Sequence, residues 1–142
     1  MRKRTIEDYV ELLYNLQKDN EPVHTNDIAH ALNFNPASIT EIFQKLSKEG
    51  YINYEKYSGV TLTKKGKKIA IATKNKHDTL KQFLKILGVD ETTANIDACK
   101  IEHVINSDTM NRLKKFVEFV QEVEEGSSLI DHFKHYYETG KN

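Results

Sequence analysis

Between Thr25 and Thr63 the chain spells out an order of elements that few folds accommodate: short helix, tight turn, second helix, β-hairpin. Thr25 can cap a helix to Leu32 that buries Ile28, Ala29 and Leu32. After the turn Asn33-Phe34-Asn35, Pro36 stands where a helix favours proline, at its first position, with Asn35 as cap. This helix buries Ile39, Ile42, Phe43 and Leu46, runs to about Glu49, and stops at Gly50. The segment from Tyr51 to Tyr57 then alternates, Ser58-Gly59 turns, and Val60-Thr61-Leu62-Thr63 returns as a second strand. A helix-turn-helix followed at once by a hairpin reads as a winged helix in a mostly α-helical chain.

The second helix leaves Ala37, Ser38, Thr40, Glu41, Gln44, Lys45 and Lys48 on its outer side. Small and hydrogen-bonding residues first, then lysines, suit a helix whose N-terminus enters a major groove. Pro36 starts that helix, and Ser38, Thr40 and Gln44 are expected to approach base edges. Lys45, Lys64 and Lys65 are expected on phosphates, and Lys56 and Tyr57 at the wing tip on phosphate or the minor groove. Charge leans the same way. Residues 1–76 hold 13 Lys/Arg against 9 Asp/Glu, giving +4, and residues 77–142 hold 8 against 12, giving −4. A basic half and an acidic half suit a polyanion and cations respectively, although unevenly charged solvated helices would produce the same balance.

Around this centre the spacing predicts further helices. Thr5 can cap one running to about Asp19, with Ile6, Tyr9, Val10, Leu13 and Leu16 inward. Asp8 could complete a capping box with Thr5, and Asp8 and Glu11 complement the positive N-terminal dipole. A long helix should run from Thr63 to Leu87 and stop at Gly88. Asp90 caps the next, and Ser107 a further one carrying Leu113, Phe116, Val117, Val120 and Val123. Gly126-Ser127-Ser128 should break it before a last helix. A winged-helix DNA-binding domain is expected over 1–73 and a helical domain over 74–142. The apolar faces after residue 77 exceed what so few helices can bury, which predicts a homodimer. No apolar run approaches the length of a membrane span, no signal-peptide core follows Met1, and the single cysteine suits a reducing cytoplasm.

The stretch Asp97-Ala98-Cys99-Lys100-Ile101-Glu102-His103 carries the second chemistry. On a helix, positions 99, 102 and 103 share a face, so a thiolate, a carboxylate and an imidazole converge as donors for a divalent transition metal. A half-buried helix with Cys99 as small filler and Glu102 in a salt bridge is the structural alternative. Asp8, Glu11 and His77 lie far away in sequence on other predicted helices, and three carboxylates brought together would repel unless a cation bound them. His24 and His30 are expected at the surface or near phosphate, and His132 and His135 as a surface pair.

Together these residues resemble the diphtheria-toxin-repressor family of metal-dependent regulators, especially its short manganese-transport-regulator branch, from about Thr5 to about Glu122. The matching motifs are Glu7-Asp8-Tyr9 with Glu11, the helix pair around Asp27-Ile28-Ala29 and Pro36-Ala37-Ser38, and Tyr54-Glu55-Lys56-Tyr57. They continue with Leu62-Thr63-Lys64-Lys65-Gly66, His77 with Phe83-Leu84, and Ile101-Glu102-His103. The resemblance implies a metal-binding dimerisation domain and metal ligands at Asp8, Glu11, His77, Glu102 and His103. Position 99 is Cys, as in the iron-sensing branch, where the manganese branch has Glu. Position 8 is Asp, as in the manganese branch, where the iron branch has Met. Lys81 replaces an acid often found there, and its ammonium disfavours a second cation nearby. The SH3-like third domain of the longer members is expected to be missing.

The expectation is a cytoplasmic homodimeric repressor of metal-uptake genes that needs Fe(II) or Mn(II) to bind a palindromic double-stranded operator. Zn(II), Co(II) and Ni(II) are possible ligands in vitro. No enzyme activity or small-molecule substrate is expected, because no general base is left over once the ligands are assigned, and no membrane partner is expected in the absence of a long apolar run. The alternative is a winged-helix regulator whose polar cluster is structural and senses no metal.

Overall fold

The computed structural model describes residues 1–17, 21–55 and 57–142. Its described elements are α1 (Lys3–Leu16), α2 (Thr25–Leu32), α3 (Pro36–Lys48), β1 (Ile52–Glu55), β2 (Gly59–Leu62), α4 (Lys64–Ile86), α5 (Glu91–Ile101), α6 (Ser107–Glu122) and α7 (Gly126–Thr139). The chain is mostly α-helical and divides into two compact units, Met1–Lys74 and Asn75–Asn142, with α4 supplying residues to each. No described helix is long and apolar enough to cross a membrane.

The first unit is a winged helix. Asn35 caps α3 by accepting a hydrogen bond from the Ala37 amide at 2.8 Å, with Pro36 in the first turn. β1 and β2 pair antiparallel, Ile52 opposite Leu62 and Tyr54 opposite Val60. Val23 extends the hairpin by a bridge to Val60, each amide donating to the other's carbonyl at 2.8 Å. That bridge requires glycine at 59: its φ is +93°, and a Cβ there would lie 2.9 Å from the Val23 carbonyl oxygen. Val10, Leu13, Ile28, Ile39, Phe43, Leu46, Ile52 and Val60 form one continuous apolar core. Thr63 joins α4 to this unit. Its hydroxyl accepts from the Gly66 amide at 3.1 Å and donates to the Gly50 carbonyl at 2.7 Å.

In the second unit, Leu80 of α4, Ala98 of α5 and Met110 of α6 form a small buried cluster flanked by Ile101, Ile105 and Leu113. Phe83 meets Phe116 edge-on at 6.1 Å. Asp90 caps α5 by accepting from the Thr93 amide at 3.2 Å.

Several expected boundaries move. Helix α1 begins at Lys3, with Arg2 as the residue before it and no side-chain cap, so Thr5 lies inside the helix and no capping box forms. The pairs Lys3–Glu7 at 3.9 Å and Arg4–Asp8 at 4.0 Å span that extra turn. The helix ends at Leu16 rather than near Asp19, which lies outside the described residues. Thr25 and Ser107 are first helical residues, not caps; His24 and Asn106 precede them, and Asn106 accepts from the Asp108 amide. The break after α6 falls at Val123, and Gly126 opens α7 instead of separating the helices. It is buried, and a Cβ there would collide with the Val120 carbonyl oxygen, so glycine lets α7 turn back on α6.

Candidate metal centre and nucleic-acid interface

Helices α4 and α5 lie antiparallel in the second unit and exchange polar contacts one turn apart. Lys81 Nζ is 3.2 Å from Glu91 Oε1, and one turn earlier on α4 His77 meets Asn95, one turn later on α5. Ala94 and Ala98, both fully buried, keep this face of α5 small enough for that approach. The Glu91 carboxyl is held below its ordinary range, chiefly by its hydrogen bond from Lys81 and then by the charge of Lys85.

Four of the six candidate ligands come together at the end of α5. His77 Nδ1 lies 2.9 Å from Glu102 Oε2 and 3.6 Å from Cys99 Sγ. His103 Nε2 lies 3.4 Å from Glu102 Oε1. Glu102 is only 2% exposed, whereas Cys99 is exposed. The expected shared helix face needs one correction: α5 ends at Ile101, and Glu102 is its C-cap. Glu102 keeps right-handed backbone angles (φ −56°, ψ −26°), so its side chain still follows Cys99 by three residues on the same side. Two imidazoles and a sulfur near one buried carboxylate are a donor set suited to a divalent transition metal.

Asp8 and Glu11 belong to α1 in the first unit, one turn apart, Asp8 exposed and Glu11 half-buried. Between them, Tyr9 has its phenol pushed up by burial, with the charge of Asp8 adding to the effect. Glu7 on the same helix is buried and accepts from the Thr73 hydroxyl at 3.4 Å. The partner of His77 that sequence reasoning missed is Asn95, whose Oδ1 is 2.8 Å from Nε2. Its spacing of four from Cys99 was the available signal.

On α3, Pro36, Ser38, Gln44 and Lys45 are exposed and Thr40 is half-buried. The Thr40 hydroxyl donates to the Pro36 carbonyl at 3.0 Å, and Lys45 pairs with Glu41 at 3.8 Å. Lys65 donates to the Glu49 carbonyl at 3.2 Å and lies 4.3 Å above the Tyr51 ring, so it closes the end of α3 as well as carrying charge. Lys64 is exposed, Tyr57 is 88% exposed, and Lys56 lies outside the described residues. His24, His30, His132 and His135 are all exposed.

Residues 1–60 match the model of the iron dependent repressor N-terminal DNA binding domain, and residues 63–130 that of the iron dependent repressor metal binding and dimerisation domain. The chain is 44% identical over 117 residues to an uncharacterized HTH-type transcriptional regulator of Methanocaldococcus jannaschii, covering 81% of this chain and 94% of that one. It is 40% identical over 122 residues to the HTH-type transcriptional regulator MntR of Bacillus subtilis, covering 86% of each. Among solved structures, the manganese regulator SloR superposes with a TM-score of 0.69 at 28% identity, over 80% of this chain and 54% of that longer one. A hypothetical protein of Sulfolobus solfataricus shares the fold at a TM-score of 0.64 and 20% identity, over 82% of this chain and 89% of that one.

Proposed function

We propose that this chain, which belongs to the diphtheria-toxin-repressor and manganese-transport-regulator family, is a homodimeric repressor that grips double-stranded DNA when Fe(II) or Mn(II) is bound. The observation that carries the metal reading is the Glu102 carboxylate, 2% exposed with an imidazole on each oxygen. A buried carboxylate among imidazole and thiol groups is the arrangement that a divalent cation stabilises. His77, Cys99, Glu102 and His103 would hold the ion, with Asp8 and Glu11 as further donors, and it would supply the positive charge that lets several carboxylates share one place.

When these residues act together, α1 and its winged helix are tied to the dimerising unit, and the two reading heads take the spacing of a palindromic operator. When they are apart, the carboxylates repel and the heads sample other spacings. The ion therefore selects one arrangement, with a coupling of about 1–3 kcal/mol typical of such switches. Ser38, Thr40 and Gln44 then face base edges, with Pro36 starting the helix that carries them. Lys45, Lys56, Tyr57, Lys64 and Lys65 face the backbone and groove edge. The regulated genes are metal-uptake genes and the compartment is the cytoplasm. No reaction is catalysed, since each titratable group at the centre has a holding role.

Fluorescence anisotropy tests this with palindromic duplexes selected from a random pool in the presence of Mn(II), titrated anaerobically with each metal. Wild type is expected to bind with Fe(II) or Mn(II) and to release DNA on chelation. His103→Ala is expected to lose the metal response while remaining dimeric by sedimentation. DNA binding indifferent to a chelator would overturn the reading and leave a winged-helix regulator that senses no metal.

A further inference from the structure

We propose that Asn95 is a positioning residue for the metal centre, fixing the His77 ring so that Nδ1 is the nitrogen offered to the ion. This rests on the metal-site reading above and adds to it a residue outside the ligand set. The two nitrogens of His77 face different partners. Nδ1 looks toward Glu102 Oε2 at 2.9 Å and Cys99 Sγ at 3.6 Å, the other proposed donors. Nε2 looks toward Asn95 Oδ1 at 2.8 Å.

A carbonyl oxygen only accepts, so the Asn95 contact requires a hydrogen on Nε2. The Glu102 carboxylate beside Nδ1 is likewise an acceptor, so a cation placed among Nδ1, Glu102 and Cys99 would take the place of a hydrogen on Nδ1 and receive its lone pair, while Asn95 keeps the hydrogen on Nε2. Metal-bound imidazoles commonly donate their second nitrogen to an oxygen in this way, which sets both tautomer and ring orientation. Here the acceptor is an amide on the neighbouring helix, delivered by antiparallel packing. The same packing draws Lys81 to Glu91 one turn along, so the ammonium is occupied on α5 and the ring is not crowded by it. Asn95 also stands one turn before Cys99 on α5, so one helical face presents both the amide behind the ring and the thiol before it.

The test uses Co(II) alone as probe and measures affinity by competition with a chelating dye, the visible ligand-field spectrum, and the His77 nitrogen resonances of Zn(II)-loaded protein. Asn95→Ala is expected to weaken Co(II) binding by about 10- to 100-fold, the usual effect of removing such a partner, and to alter the ligand-field bands. Asn95→Asp keeps an acceptor oxygen and should restore both. In wild type, Zn(II) should leave a protonated Nε2 and a metal-bound Nδ1. Unchanged affinity and spectrum in Asn95→Ala, beside a crippled His77→Ala, would overturn this inference and leave the metal site standing. Coordination through Nε2 would do the same. If His77→Ala binds Co(II) like wild type, the site reading itself fails and this inference with it.

Discussion

The two units solve the burial problem differently. In the first, α1, α2, α3, the hairpin and the start of α4 enclose a continuous core in which Phe43, Leu13, Ile28, Ile39 and Leu46 are essentially inaccessible. In the second, the buried cluster is Leu80, Ala98 and Met110, with Ala94, Val117 and Val120 also buried in this unit, while Phe116, Phe119, Leu129, Tyr136 and Tyr137 remain exposed on α6 and α7. A winged helix can bury its apolar residues alone because a hairpin and three helices close around one centre. Helices that present large aromatic side chains to solvent are built to be covered by another surface, which here agrees with a second copy of the chain.

The sharpest way to break this comparison is to empty each unit of an aromatic. Phe43→Ala is expected to cost about 3–5 kcal/mol in urea unfolding, since the ring is fully enclosed and packs 5.7 Å from Tyr54. A loss below about 1 kcal/mol would mean that the first core is not what holds the winged helix. Phe119→Asp should leave unfolding of the isolated chain nearly unchanged, because the ring is 59% exposed, yet weaken self-association by about tenfold or more in sedimentation. If association is unaffected, the exposed face of α6 is not the dimer surface.

Smaller effects sharpen the contrast between the basic and acidic halves. Lys64→Ala should weaken binding to every duplex about equally and lower the slope of log affinity against log salt by roughly one unit. A changed base preference with an unchanged slope would remove Lys64 from the phosphate contacts. The smallest effect expected is at the cap of α5. The Thr93 hydrogen bonds hold Asp90 below its ordinary range, so its folded value is depressed. Its stabilisation is then full above the unfolded value and fades as pH falls through the lowered folded one. Melting curves taken downward from about pH 6 should lose stability less steeply in Asp90→Ala than in wild type. Parallel curves would mean that the cap contributes nothing.

The grouping of three candidate side chains at the end of α5 was legible because their spacing is local. Cys99, Glu102 and His103 converge by helical repeat alone, and the repeat survives even though α5 stops at Ile101. Capping was less legible. Asn106 and Ser107 are equally good caps by residue type, so propensity could not choose between adjacent positions. At Thr5 a cap worth about 1 kcal/mol competed with a further turn carrying two i,i+4 pairs, and the turn prevailed.

By itself the sequence determined the elements and their order. Asn35-Pro36, Gly50, Thr63, Gly88 and Asp90 mark starts and stops through interactions spanning a few residues, so they act wherever the helix lies. Only tertiary structure decided what each side chain meets across helices. His77 finds Glu102, 25 residues away, and Asn95, 18 away, because antiparallel packing of α4 on α5 sets both helix rotations at once. Gly126 opens a helix rather than breaking one because the Val120 carbonyl occupies the place of its missing Cβ. Such outcomes depend on how two surfaces interlock, and periodicity along one strip of sequence carries no record of the strip that will face it.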